Sequence, residues 1–188
     1  MKAAELLKEE HQGVKLALRV LDQLAVRIAA NPVGQNTAYS EDFAKLIEFF
    51  LIFVDKCHHA KEEEVLFPAL LKAGLPTEGG PVQVMLAEHA DGRNLVSAMD
   101  AALTRYRLGD PDAVAALTEA ARDYAELLTN HIAKEDNVLY PIADTWLSGD
   151  IQAGMVKSFE KIEEERIGLG THEWFHEMLK EFKSKYLT

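Results

Sequence analysis

Two stretches of this chain, HHAKEEEVLFP at residues 58–68 and HIAKEDNVLYP at residues 131–141, repeat nearly the same letters 73 positions apart (131 − 58). Each opens on a histidine, His58 or His131, and carries a glutamate four residues on, Glu62 or Glu135. Positions i and i+4 of a helix share one face a turn apart, so each stretch can aim an imidazole and a carboxylate at a common spot. That is half of a metal site. Two more histidines, His11 and His89, each follow a glutamate earlier in the chain, 47 and 42 positions before His58 and His131. If the four segments pack together, their interior receives four neutral nitrogens and two carboxylates. Such a set suits two divalent cations bridged by the two glutamates, each cation taking two imidazoles and keeping an open position. Mixed nitrogen and oxygen ligation favours non-haem ferrous iron, although manganese and zinc accept the same ligand types.

Taken singly these motifs are weak, because a lone helical histidine is usually a surface or satisfied core residue and HxxxE is common. Their joint occurrence in a duplicated pattern is what points to metal. Lys61 and Lys134, three residues after each histidine, read as solvated charges on the outer face. Leu66, Phe67, Leu139 and Tyr140 read as packing that fixes ligand rotamers, and Pro68 and Pro141 as tuning the helix ends. Cys57, beside a candidate ligand but rotated off its face, reads as an inert buried thiol.

Four long helices must position these groups. Apolar residues recur at three and four positions from Leu6 to Ile28, and Asn31-Pro32 stops that run. NPVGQNTAYS is a loop, with Ser40 as N-cap of a second helix that carries Phe43, Ile47, Phe50 and Val54 and runs to Gly74, bending at Pro68. A third helix opens near Pro81. A fourth is capped by Asp110 with Pro111 as its first residue, and Ser148-Gly149-Asp150 ends it. The expected fold is therefore all-α: an antiparallel up-down four-helix bundle over residues 1–147, built of two similar hairpins. Residues 148–188 add one or two helices with a break at GLGT, within a single domain of residues 1–188.

At 188 residues the chain can bury a sizeable core without disulfides. Its 31 acidic and 20 basic residues give a net charge of -11, which opposes binding to nucleic acid or anionic lipid. One cysteine and the lack of an apolar leader or long apolar run make the cytoplasm the expected location.

His11, HHAKEEEVLFP, EHADGR and HIAKEDNVLYP together resemble hemerythrin-like proteins with the HHE cation-binding domain, over roughly residues 5–145. The resemblance implies a di-iron centre, bridged by oxide or hydroxide, with His11, His58, His89 and His131 as imidazole ligands and Glu62 and Glu135 as bridging carboxylates. It implies binding or sensing of O2, NO or iron, or alternatively an enzyme that reduces peroxide or O2 in the manner of a peroxidase or catalase. The pattern also departs from the oxygen carriers of the family. Where they show HxxxH on the third helix, this chain has Arg93, and where they place an aspartate five residues beyond the fourth-helix histidine, it has Glu135 at four and Asp136 at five. Fewer imidazoles leave more exchangeable positions, which suits sensing or scavenging better than transport. His59 corresponds to an extra ligand of iron-sensing relatives, and His172 or His176 could supply the imidazole that Arg93 does not. The tail string HEWFH also matches the HExxH of zinc peptidases, but such sites need a third ligand and twelve residues follow His176. A helix capping one end of the bundle is the simpler reading.

Overall fold

The computed structural model describes residues 2–31 and 37–187, and the secondary structure of these residues is helical, with no strand among them. The first helix, α1 (Ala3–Ala29), buries Leu7, Val14, Leu18, Leu21 and Ile28 along one face, as its periodicity requires. Pro32, its expected stop, lies outside the described residues, as does most of the loop after it. The second rod is composite. It begins as α2 (Thr37–Phe49), widens into π-helical turns over Phe50–His59 and Glu62–Leu66, and closes as α3 (Phe67–Lys72). Helix α4 (Pro81–Arg107) starts on the expected proline. Helix α5 (Ala113–Lys134) passes through π-helical Glu135–Leu139 into α6 (Tyr140–Trp146), and α7 (Gly149–Arg166) and α8 (Thr171–Tyr186) follow.

Two expected caps are corrected. Ser40 lies inside α2, where its hydroxyl donates to the Thr37 carbonyl at 2.9 Å instead of capping. Asp110 accepts from the Asp112 amide at 3.0 Å, so it holds the turn before α5, which begins at Ala113.

The duplication extends to the backbone. In both copies a five-residue π segment starts on the motif glutamate, Glu62 or Glu135, and ends just before an aromatic-proline pair, Phe67-Pro68 or Tyr140-Pro141. A proline inside an α-helix removes one amide donor and presses its ring on the carbonyl four residues back; a widened turn gives that ring room. The longer π segment at Phe50–His59 has no counterpart in α5. Its wider turn reduces the rotation per residue below the ~100° of an α-helix, so that both His58 and His59 are buried.

Helix α4 packs along α5, α1 packs on α5 and α8, α2 on α1 and α4, and α7 on α1 and the π segments of the second rod. Two apolar clusters result. One joins Val14, Phe50, Val54, Val96, Leu128 and Phe175 with their neighbours, and the other joins Leu7, Leu66, Met85, Leu139 and Phe159 with theirs. Along every long rod the motif histidine falls between a residue of one cluster and a residue of the other. The polar centre is thereby sandwiched between two dry layers.

The C-terminal helix is tied down at its far end by Asp42, which is 5% exposed and accepts from Tyr186 Oη and Lys185 Nζ, each at 2.6 Å. Replacing Asp42 with alanine removes a buried charged acceptor and is expected to lower unfolding free energy by about 2 kcal/mol, measured by urea denaturation, with metal content unchanged.

Candidate metal centre

The six residues singled out by the repeat converge. His11 Nε2 and His58 Nε2 lie 3.1 Å apart, and His89 Nε2 and His131 Nε2 lie 3.2 Å apart. All four rings and both glutamates are at most 2% exposed. Each carboxylate stands between the two pairs. Glu135 places Oε2 3.2 Å from His11 Nε2 and Oε1 3.1 Å from His131 Nε2, and Glu62 places Oε2 3.7 Å from His58 Nε2 and 3.4 Å from His89 Nε2.

What fixes the rings is a second set of carboxylates. His11 Nδ1 contacts Asp136 at 2.8 Å, His58 Nδ1 contacts Glu10 at 2.7 Å, His89 Nδ1 contacts Glu63 at 2.7 Å and His131 Nδ1 contacts Glu88 at 2.9 Å. An ionised carboxylate only accepts, so every Nδ1 carries the proton and, in the neutral ring, every Nε2 presents a lone pair. Two lone pairs facing each other at 3.1 Å repel unless a proton or a cation stands between them. Metal–imidazole bonds of about 2.1 Å, meeting at about 90–109°, separate two ligand nitrogens by about 3.0–3.4 Å. Three carboxylate oxygens of the cluster, Glu62 Oε2 and both oxygens of Glu135, are buried without a hydrogen bond. Orphaned buried carboxylates are costly, and cations at the two imidazole pairs would satisfy all of them at once. The donor set fits two transition-metal ions.

A third layer of cations neutralises the orienting carboxylates. Lys61 binds Glu10, Lys134 binds Glu88, Arg93 binds Glu63 at 2.6 Å and Lys15 binds Asp136 at 2.8 Å. The reading of Lys61 as a solvated outer charge is thus corrected: it is 3% exposed and spans Glu10 and Glu163. Lys134, half in solvent, makes the equivalent contact. Arg93 reaches outward to Glu63 and Asp55, so the position four after His89 holds a clamp on the orienting carboxylate, as Lys15 does four after His11. Sequence reasoning had not assigned this role to Glu10, Glu88 or Asp136. Their signal was the EH dipeptides and the acidic residue that follows each motif glutamate.

The two halves differ in two places. Tyr140, read from sequence as packing, donates to Glu62 Oε1 at 2.7 Å, lies 3.3 Å from His11 Nε2 and stacks on the His11 ring; Phe67 holds the matching position. His59 stacks on His89 with centroids 3.8 Å apart, and neither of its nitrogens has a hydrogen-bond partner. It groups with Glu62, His89 and His131, while His11, His58 and Glu135 form the other group. His172 and His176 do not join either. They contact each other and Glu163 outside the cluster, so the expectation that one of them replaces the imidazole missing at Arg93 is corrected. Tyr124 packs in the apolar layer against Phe50.

Burial disfavours the charged imidazoles, but the facing carboxylates outweigh it: Asp136 and Glu135 push His11 up to about 9, and Glu62 and Glu63 push His89 to about 9. Burial, with His89 alongside, takes His59 down to about 3. Burial also raises the Cys57 thiol to about 12, which keeps it inert.

The fold and this centre define a helical cation-binding domain. The chain belongs to the hemerythrin HHE cation-binding domain family, whose model matches residues 2–143. It is 29% identical over 166 residues to an uncharacterized protein of Mycobacterium tuberculosis (strain ATCC 25618 / H37Rv), covering 88% of this chain and 63% of that protein. The same figures hold for a counterpart in Mycobacterium bovis. The chain therefore spans somewhat under two thirds of the length of these curated relatives. It is also 33% identical over 90 residues to the iron-sulfur cluster repair protein YtfE of Salmonella typhimurium, covering 46% of this chain and 40% of that protein.

Two outcomes are expected of this geometry. Glu88→Ala frees the His131 ring, and metal affinity measured by chelator competition should fall about 10–100-fold. Metal loading near neutral pH must displace the protons held by His11 and His89, so a weakly buffered indicator should record proton release and affinity should rise with pH towards about 9. For the metal-free protein the same raised values mean stability that is complete below the unfolded value of 6.5 and declines as pH rises through about 9.

Proposed function

We propose that the protein is a non-haem di-iron protein that binds or senses O2, NO or iron itself. One observation carries the reading: four Nε2 atoms pair off at 3.1 and 3.2 Å around the oxygens of two buried glutamates, three of which have no hydrogen-bond partner. His11 and His58 would hold one ion and His89 and His131 the other, with Glu62 and Glu135 shared, His59 available to the second, and a solvent oxide or hydroxide between them. The imidazole and carboxylate set supports iron, and so does the likeness to a protein named for iron–sulfur cluster repair. Iron bound there supplies exchangeable positions for a small ligand and one-electron chemistry. In this reading the chain forms one domain, an antiparallel up-down four-helix bundle covered by α7 and α8, and works in the cytoplasm. No helix among the described residues is long and apolar enough to cross a membrane.

The protein's own side chains do the positioning. The orienting carboxylates hold each imidazole in one tautomer, the lysines and Arg93 hold those carboxylates ionised, and the apolar layers exclude water from both sides. Tyr140 favours a second reading, an enzyme that reduces peroxide or O2, because its buried hydroxyl can give a proton to a ligand once Glu62 turns towards a cation. Purified protein loaded with ferrous iron should hold two irons per chain, and a value near zero would remove both readings. Stopped-flow mixing with O2 and with peroxide separates them: a lasting optical change without turnover supports binding, and repeated peroxide consumption that Tyr140→Phe slows at least tenfold supports the enzyme.

A further inference from the structure

The tail motif HEWFH takes no part in the buried centre, yet it reproduces the centre's local design. His172 and His176, four apart on α8, bring their Nε2 atoms to 3.0 Å, and their rings stack with centroids 4.8 Å apart. His172 Nδ1 donates to Glu163 Oε1 at 3.0 Å, and Phe53 packs on the His172 ring. The carboxylate fixes the tautomer, so His172 Nε2 presents its lone pair to His176, the same commitment seen at the four inner rings. Both rings line a cavity of about 720 Å³ between α1, α7 and α8, whose wall also carries Glu9, Glu160, Glu164 and Glu173.

We propose that His172 and His176 form a second, mononuclear site for a divalent transition cation, completed by water, with the acidic cavity wall alongside. A helical imidazole pair one turn apart is a bidentate ligand that needs no rearrangement of the backbone. Imidazole with carboxylate suits zinc, ferrous iron, cobalt or nickel and disfavours calcium and magnesium, which prefer all-oxygen ligation. The surplus of acidic groups around the cavity draws such a cation in from solution. Glu163 also joins the two sites, since its other oxygen accepts from Lys61 at 2.9 Å, and Lys61 in turn holds Glu10, the partner of His58. A cation on the outer pair therefore stands at the surface end of a continuous chain of polar contacts that ends on an inner ligand. A plain N–H···N bond from His176 to His172 is the competing explanation of the 3.0 Å contact, and it requires no cation.

The test titrates iron-loaded protein, freed of excess metal, with zinc alone by calorimetry, and repeats the titration on His176→Ala. His176 is exposed and touches none of the inner residues, so the variant should fold and hold as much iron as the unmodified chain. Expected are one zinc per chain of micromolar affinity in the unmodified protein, binding at least about tenfold weaker in His176→Ala, and partial recovery in His176→Asp, which restores a ligand atom. Zinc uptake equal in the unmodified protein and His176→Ala, or no saturable uptake by either, overturns the proposal and leaves the hydrogen bond as the whole explanation. Iron content is measured separately on each sample, so a failure of the inner centre to take iron is not confused with a failure of the outer pair to take zinc.

Discussion

Four imidazoles in the middle of this protein have their Nδ1 protons committed to carboxylates, and that commitment forces their other nitrogens to face one another as lone pairs. The arrangement repels itself in a dry interior and becomes favourable when protons or cations occupy the gaps. In the metal-free state His11 and His89 meet the demand by holding protons, which is why both stay charged well above the usual imidazole range. Divalent cations would meet it better because each would also bind oxygens of Glu62 and Glu135 that have no hydrogen-bond partner.

Everything around the centre serves that balance of charge. The two inner glutamates are surrounded by imidazoles, the imidazoles by four outer carboxylates, and those carboxylates by three lysines and an arginine. Each layer compensates the one inside it, so that a highly charged cluster survives between two apolar clusters. The pattern is also a consequence of duplication. Glu10 on α1 orients the histidine of the second rod, and Glu88 on α4 orients that of α5; the residue after each motif glutamate, Glu63 or Asp136, orients a histidine of the other hairpin. The hairpins are therefore cross-braced through the inner histidines. Departures from this symmetry, His59 against Ile132 and Tyr140 against Phe67, give the two imidazole pairs different surroundings.

Much of this was legible in the sequence because helices convert spacing into direction. HxxxE places two ligands on one face whatever the rest of the chain does, and the EH dipeptides announced partner helices. Several things were not legible. A carboxylate that orients a ring across an interface shows no fixed spacing to that ring, so Glu10 and Glu88 stood out only as the residues before His11 and His89. Lys61 looked solvated because α7 and Glu163, some hundred residues away, bury it. The π-helical stretch that turns His59 inward leaves the apolar spacing of the rod close to that of an ordinary helix, so periodicity alone does not register it. Likewise Tyr140 in LYP and Phe67 in LFP read as interchangeable packing, and the difference of one hydroxyl became meaningful only once Glu62 stood beside it.

The most direct measurement of the central claim is the tautomer of each ring, read by long-range nitrogen–proton NMR correlations in the diamagnetic zinc-loaded protein labelled with nitrogen-15. The expected result is that His11, His58, His89 and His131 all carry the proton on Nδ1 and coordinate through Nε2. Rings protonated on Nε2, or four imidazoles whose signals do not respond when zinc is added, would contradict it.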